Sequence, residues 1–208
     1  MHTNSLKALL AAAAISLLTA CSQAPPTPVA ETKPAEEPKK AVEPVAAQTA
    51  FFEMYKPARA WAKDLLPLTL ASNDVPGFKN EDGKAAMWTA VFVSPSLRQA
   101  RTFFYSIADS GTNIHKGVSI GGVQGWTGET PKVQPFQITE FAVNSDVAYK
   151  TAFGKGESWL KKHAGLTATM FLGKAARFPA PVWYVQWGST KSGYVAIINA
   201  TTGEVLSK

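Results

Sequence analysis

The chain has 208 residues, 21 basic and 15 acidic side chains, a formal net charge of +6 and one cysteine. A single Cys excludes an internal disulfide framework and a zinc site of the multi-cysteine type. With 46% hydrophobic and 17% charged residues, most of the chain is expected to fold, as one large domain or two small ones.

The N-terminus reads as an address. Met1–Lys7 is polar and ends in a positive charge, and Ala8–Leu18 is apolar. A bilayer span needs about 20 apolar residues, so the shorter run reads as the apolar part of a secretory signal. Leu18-Thr19-Ala20-Cys21 resembles a bacterial lipobox. The resemblance implies cleavage before Cys21, a diacylglycerol on its thiol and acylation of the new amino terminus. Two or three chains make a stable anchor, since each buried CH2 contributes about 0.8 kcal/mol. Ser22, and not Asp, follows the Cys. In a Gram-negative envelope that resemblance favours the outer membrane, facing the periplasm.

Ser22–Ala50 follows, with six Pro, seven Ala, four Glu, three Lys and no aromatic residue. Such a stretch has too little apolar surface to offset its ordering entropy. It is expected to be a disordered Pro/Ala linker reaching between roughly 30 and roughly 90 Å. All 6 Trp, 5 Tyr and 11 Phe lie at or after Phe51, so the globule is expected there. From Phe51 onward there are 17 basic and 11 acidic residues, so the globule is basic. That suits loose attraction to anionic lipids or wall polymers. Export argues against nucleic acid.

Within the globule, Ala58, Trp61, Ala62, Leu65 and Leu66 make a helix stripe after Pro57, a first-turn residue. Pro67 would end that helix. Leu68–Ala71, Ala86–Val93 and Arg101–Ala108 are strand candidates. Gly117–Gly128 is glycine-rich, with room for a further short strand. Phe136–Val143 alternates and bridges to a second helix. That helix carries Val147, Tyr149, Ala152, Phe153, Trp159, Leu160 and Ala164 at a period of about 3.6. Ser145 or Asp146 would cap its start, and Gly165 suits its end. Leu166–Leu172, Val182–Trp187, Tyr194–Asn199 and Glu204–Leu206 are the following strands. Trp88 and Trp183 hold equivalent places in the two parts.

Val182–Leu206, "VWYVQWGSTKSGYVAIINATTGEVL", resembles the end of a PepSY domain. Asn144–Ala148 with His163-Ala164-Gly165-Leu166 is similar to the helix of such domains. Trp88–Ile107 resembles it more loosely and lacks the TGEV ending. The expected fold class is therefore α+β: two tandem helix-plus-antiparallel-sheet (αβββ) units after the linker. The expected divisions are 1–20 signal peptide, 21–50 linker, 51–135 first unit and 136–208 second unit. The resemblance implies inhibitory or regulatory envelope roles and brings no catalytic residue.

Tests for chemistry fail on context. Gly117-Val118-Ser119-Ile120-Gly121 matches G-x-S-x-G, and Ser119, Asp146 and His163 follow the chain order of an α/β-hydrolase triad. The nucleophile elbow needs a helix after the Ser, and Gly122–Gly128 cannot supply one. Ser158–Lys161 (S-x-x-K) and Lys191-Ser192-Gly193 lie too close together for a penicillin-binding enzyme. His115 and His163 form no H-E-x-x-H pair. Asn80-Glu81-Asp82-Gly83 lacks the first Asp of a calcium loop, with Phe78 in that place. No catalytic residue, metal site or cofactor is expected.

The expected function is a lipid-anchored, non-enzymatic binding or regulatory module of the cell envelope. Its expected partners are the membrane, through Cys21, and an envelope protein, such as a peptidase, or an anionic polymer. Trp126, without a periodic partner, is the expected exposed aromatic at a binding surface. The alternatives are a small-ligand carrier with its site between the units, and a serine hydrolase using Ser119.

Overall fold

The computed structural model describes residues 42–207. The expected signal segment, Cys21 and most of the expected linker lie outside them. The chain runs β1 (Val45–Ala46), α1 (Ala47–Trp61), β2 (Leu66–Asn73), β3 (Lys84–Ala85), β4 (Met87–Ser94), β5 (Gln99–Ser106) and β6 (Gly117–Gly125). A 3-10 turn at Ile138–Glu140 then leads to α2 (Ser145–Leu160), β7 (Ala168–Gly173), β8 (Val182–Trp187), β9 (Tyr194–Asn199) and β10 (Val205–Ser207).

The architecture is mixed α+β. Eight strands form one antiparallel sheet in the order β10-β9-β8-β7-β2-β4-β5-β6, and β1 pairs with β3 apart from it. Each half of the chain contributes one helix and four strands of that sheet. The halves join through β2 and β7, where Leu70 faces Leu172. The division expected at residues 135 and 136 falls in the connection between β6 and the 3-10 turn, and the strands on either side share one sheet.

Alternation explains the layering. In β4, Trp88, Ala90 and Phe92 are buried while Met87, Thr89 and Val91 are half-buried. In β8, Trp183, Val185 and Trp187 are buried while Tyr184 and Gln186 are half-buried. Phe51, Met54 and Ala58 of α1 share a single core with Ala148, Ala152 and Leu160 of α2 and with these Trp and Phe side chains. Both helices therefore cover one face of the sheet. Each large side chain so buried contributes roughly 1.5–3 kcal/mol.

Several expectations are corrected. The linker does not run to Ala50: β1 and α1 begin at Val45 and Ala47, and Ala47 and Ala50 are fully buried. Helix α1 does not start at Pro57 but contains it. The ring removes one backbone bond, and burial of Phe51, Met54 and Ala58 carries the helix through. It stops at Trp61, and Pro67 lies within β2. Phe136–Val143, the bridge to the second helix, holds the 3-10 turn. The cap of α2 is neither Ser145 nor Asp146: Asn144 is the N-cap residue, and its Oδ1 accepts from the Ser145 amide at 2.8 Å.

Ser145 has a different task. Ala46, ahead of α1, has no side chain to cap it. The Ala47 amide donates to Ser145 Oγ at 2.8 Å, and the Gln48 amide donates to Asn144 Oδ1 at 3.0 Å. The first turn of α1 is thus satisfied by residues at the start of α2, which fixes the two helix starts side by side.

Candidate binding surface

Among the described residues, no helix covers the other face of the sheet. Strand register sets a row across it: Ser119, Phe104, Thr89, Ala71, Phe171, Tyr184 and Ile197 face one another from β6 to β9. Phe171 remains 38% exposed there, between the buried Met170 and Leu172. Its ring lies 5.9 Å from that of Tyr184, at 54°. Above this pair a cavity of about 300 Å³ is lined by Thr69, Lys132, Val133, Phe171, Tyr184 and Gln186, among others. A neighbouring depression of about 670 Å³ shares Lys132, Ala175 and Tyr184 and continues to Arg177. Together they form a trough with an aromatic floor.

Its walls are fixed by backbone bonds. The Gln134 amide donates to the Lys174 carbonyl at 2.9 Å, and the Ala176 amide to the Pro131 carbonyl at 3.0 Å. Lys174 is committed elsewhere, paired with Glu140 at 2.9 Å. Arg177 donates to Tyr184 Oη at 3.1 Å and lies over the Phe178 ring. Among the described residues, Lys132 and Arg177 have no carboxylate within ion-pair distance. The trough therefore offers aromatic surface beside two uncompensated cations.

A second, polar cleft of about 190 Å³ lies between the hairpin at Glu81–Lys84 and α2. It is lined by Asn80, Glu81, Asp82, Tyr149, Leu166 and Met170, among others. Burial, and then the Asp82 and Glu81 charges, push the Tyr149 hydroxyl pKa above its ordinary value. This cleft draws on both halves of the chain, but no Trp lines it. The tryptophans at the junction, Trp88 and Trp183, are packed solid.

The structure separates the residues of the G-x-S-x-G reading. Ser119 lies within β6, facing Phe104, on the side of the sheet away from the helices. His163 follows α2, stacked on Trp159 at 3.9 Å. Asp146 accepts the Val147 amide at 2.9 Å in the first turn of α2. His115 does border a 100 Å³ hollow with Ser119, and it lies 3.7 Å from Asp109. That His–Asp pair is exposed, and Ser119 makes no hydrogen bond to it. Ser158 and Lys161 lie at the C-terminal end of α2, where Lys161 pairs with Glu157 at 2.9 Å. Among the described residues no three metal-binding side chains gather.

Trp126 is half-buried and directly follows β6, because Gly122–Gly125 belong to the strand and not to a loop. Its amide donates to the Arg98 carbonyl at 2.9 Å. Sequence reasoning missed Phe171, Tyr184, Lys132 and Arg177. The available signal was an aromatic at the solvent-side position of each of two neighbouring strands.

No family model matches the chain, and no curated protein does. Among solved structures, a provisionally assigned lipoprotein from Clostridium difficile 630 is similar at 12% identity, covering 80% of this chain and 91% of that one with a TM-score of 0.46. Among the described residues no helix is long and apolar enough to cross a membrane.

Proposed function

We propose that the protein is a lipid-anchored, non-enzymatic binding module of the cell envelope, built from two tandem PepSY-like units. The observation that carries the binding role is the trough on the open sheet face. Phe171 and Tyr184 supply ring surface, and Lys132 and Arg177 supply cations. An elongated, solvent-open trough suits a segment of polymer better than an enclosed small ligand. The fitting ligand is an anionic glycan, whose sugar faces stack on the rings while its carboxylate or phosphate groups meet the cations. The helix–strand order of each half, and the TGE turn ahead of β10, support the PepSY-like reading. The lipobox-like Leu18–Cys21 supports anchoring at Cys21, and Ser22 favours the outer membrane, facing the periplasm.

Two experiments test this. Fatty-acid labelling and membrane fractionation should both be lost in Cys21→Ala; continued labelling contradicts the anchor. In the full chain, amide shifts on adding a uronic-acid oligosaccharide should gather at Thr69, Phe171 and Tyr184. Shifts confined to the Glu81–Tyr149 cleft would move the site and favour a small-ligand carrier.

A further inference from the structure

Among the described residues no strand pairs with the outer edge of β6, and we propose that an extended segment of a partner polypeptide adds to it as a ninth strand. The sheet ends at β6 on one side and at β10 on the other. Strand β10 has three residues, a common way of blunting an edge. Strand β6 has nine, GVSIGGVQG, with no charge and no proline. Its one irregularity is a bulge where Gly121 and Gly122 face Thr102.

The glycines carry the inference. Gly in a strand interior costs about 0.5–1 kcal/mol relative to Ala. Neither Gly122 nor Gly125 has a positive φ, and a Cβ at either would meet nothing within 4 Å. Side-chain packing therefore requires neither, and only Gly122, at the bulge, has a local backbone reason, while Gly125 ends the strand. A strand glycine without such a need fits close approach of another backbone. The edge is also apolar: Ile120, Val123 and Leu97 are each nearly half exposed, with Trp126 beside them.

Charge selects the occupant. Lys116 precedes β6, and Arg98 lies beside its end. Both are exposed without an ion pair among the described residues, while Asp109 accepts the Lys116 amide at 3.0 Å. A second copy pairing antiparallel would set Lys116 of one chain near Arg98 of the other, cation against cation. A peptide alternating apolar with acidic residues satisfies the backbone, the apolar patch and both cations.

The test pans random nine-residue linear peptides against the full chain in detergent micelles. Enriched peptides should alternate apolar and acidic residues and slow hydrogen exchange of β6 amides at least tenfold. Gly122→Ala and Val123→Lys, neither of which fills packed space, should each weaken binding tenfold or more. No enrichment, protection elsewhere, or unchanged affinity in both variants overturns the proposal. So does a dimer in light scattering that Val123→Lys dissolves, since the occupant would then be a second copy.

Discussion

The indoles of Trp88 and Trp183 meet edge to face, 6.3 Å apart at 70°. Each also donates its Nε1 hydrogen to the carbonyl two residues ahead of a helix, Trp88 to Val45 at 3.0 Å and Trp183 to Val143 at 2.8 Å. The same device thus ties each helix to its own strands, and the two devices touch at the centre of the core.

Trp183→Phe keeps a ring in place but leaves the Val143 carbonyl without its indole donor. It should lower stability by about 1–3 kcal/mol. Combining it with Trp88→Phe should show a coupling of about 0.5–1.5 kcal/mol in urea unfolding. Strict additivity would mean that the two indoles gain nothing over phenyl rings at this contact.

Two glycines of α2 should respond with opposite sign. A Cβ on Gly156 would lie 2.6 Å from the Tyr194 ring, whereas Gly154 has open space. Gly154→Ala should stabilise by up to about 1 kcal/mol through helix propensity. Gly156→Ala should destabilise despite the same propensity gain. Urea midpoints of the two variants decide it.

Ser145→Ala removes the acceptor of the buried Ala47 amide. The expected loss is about 1–2 kcal/mol. Hydrogen exchange should rise at the first turn of α1, although the substitution lies in α2.

Asp64 sets an acid-sensitive contact. Its carboxylate accepts from Ser94 Oγ at 2.6 Å and from the Ser96 amide at 2.8 Å. The Ser94 bond first, and then the Ser96 amide, hold its pKa below the ordinary 3.8. A carboxyl depressed in the native state adds stability above its unfolded pKa and loses it as pH falls through the folded value. Wild type should exceed Asp64→Ala in urea midpoint near neutral pH. The gap should close below 3.8, by an amount kept small by solvent exposure.

The strands with strict alternation or strong β-formers were legible in sequence. Val182–Trp187 and Tyr194–Asn199 appear with the expected bounds, and the pairing of Trp88 with Trp183 in equivalent places follows from the same pattern. The start of α1 was not legible, because Ala46–Ala50 looks like linker by composition and is held by contacts far along the chain, with Lys84, Phe141, Asn144 and Ser145. The trough was not legible either. Phe171 and Tyr184 look like core residues in a linear reading, and only the register of β7 on β8 sets them together on the bare face.

The most direct test of the central claim is calorimetric titration of the full chain in detergent micelles with a short linear oligosaccharide of uronic acids. Wild type should bind, more weakly as salt rises. Phe171→Ala and Arg177→Ala should each lose about tenfold in affinity, about 1.4 kcal/mol, while Ser119→Ala stays unchanged. Equal affinity in wild type and Phe171→Ala, or no binding at low salt, would contradict a ligand site on the open face of the sheet.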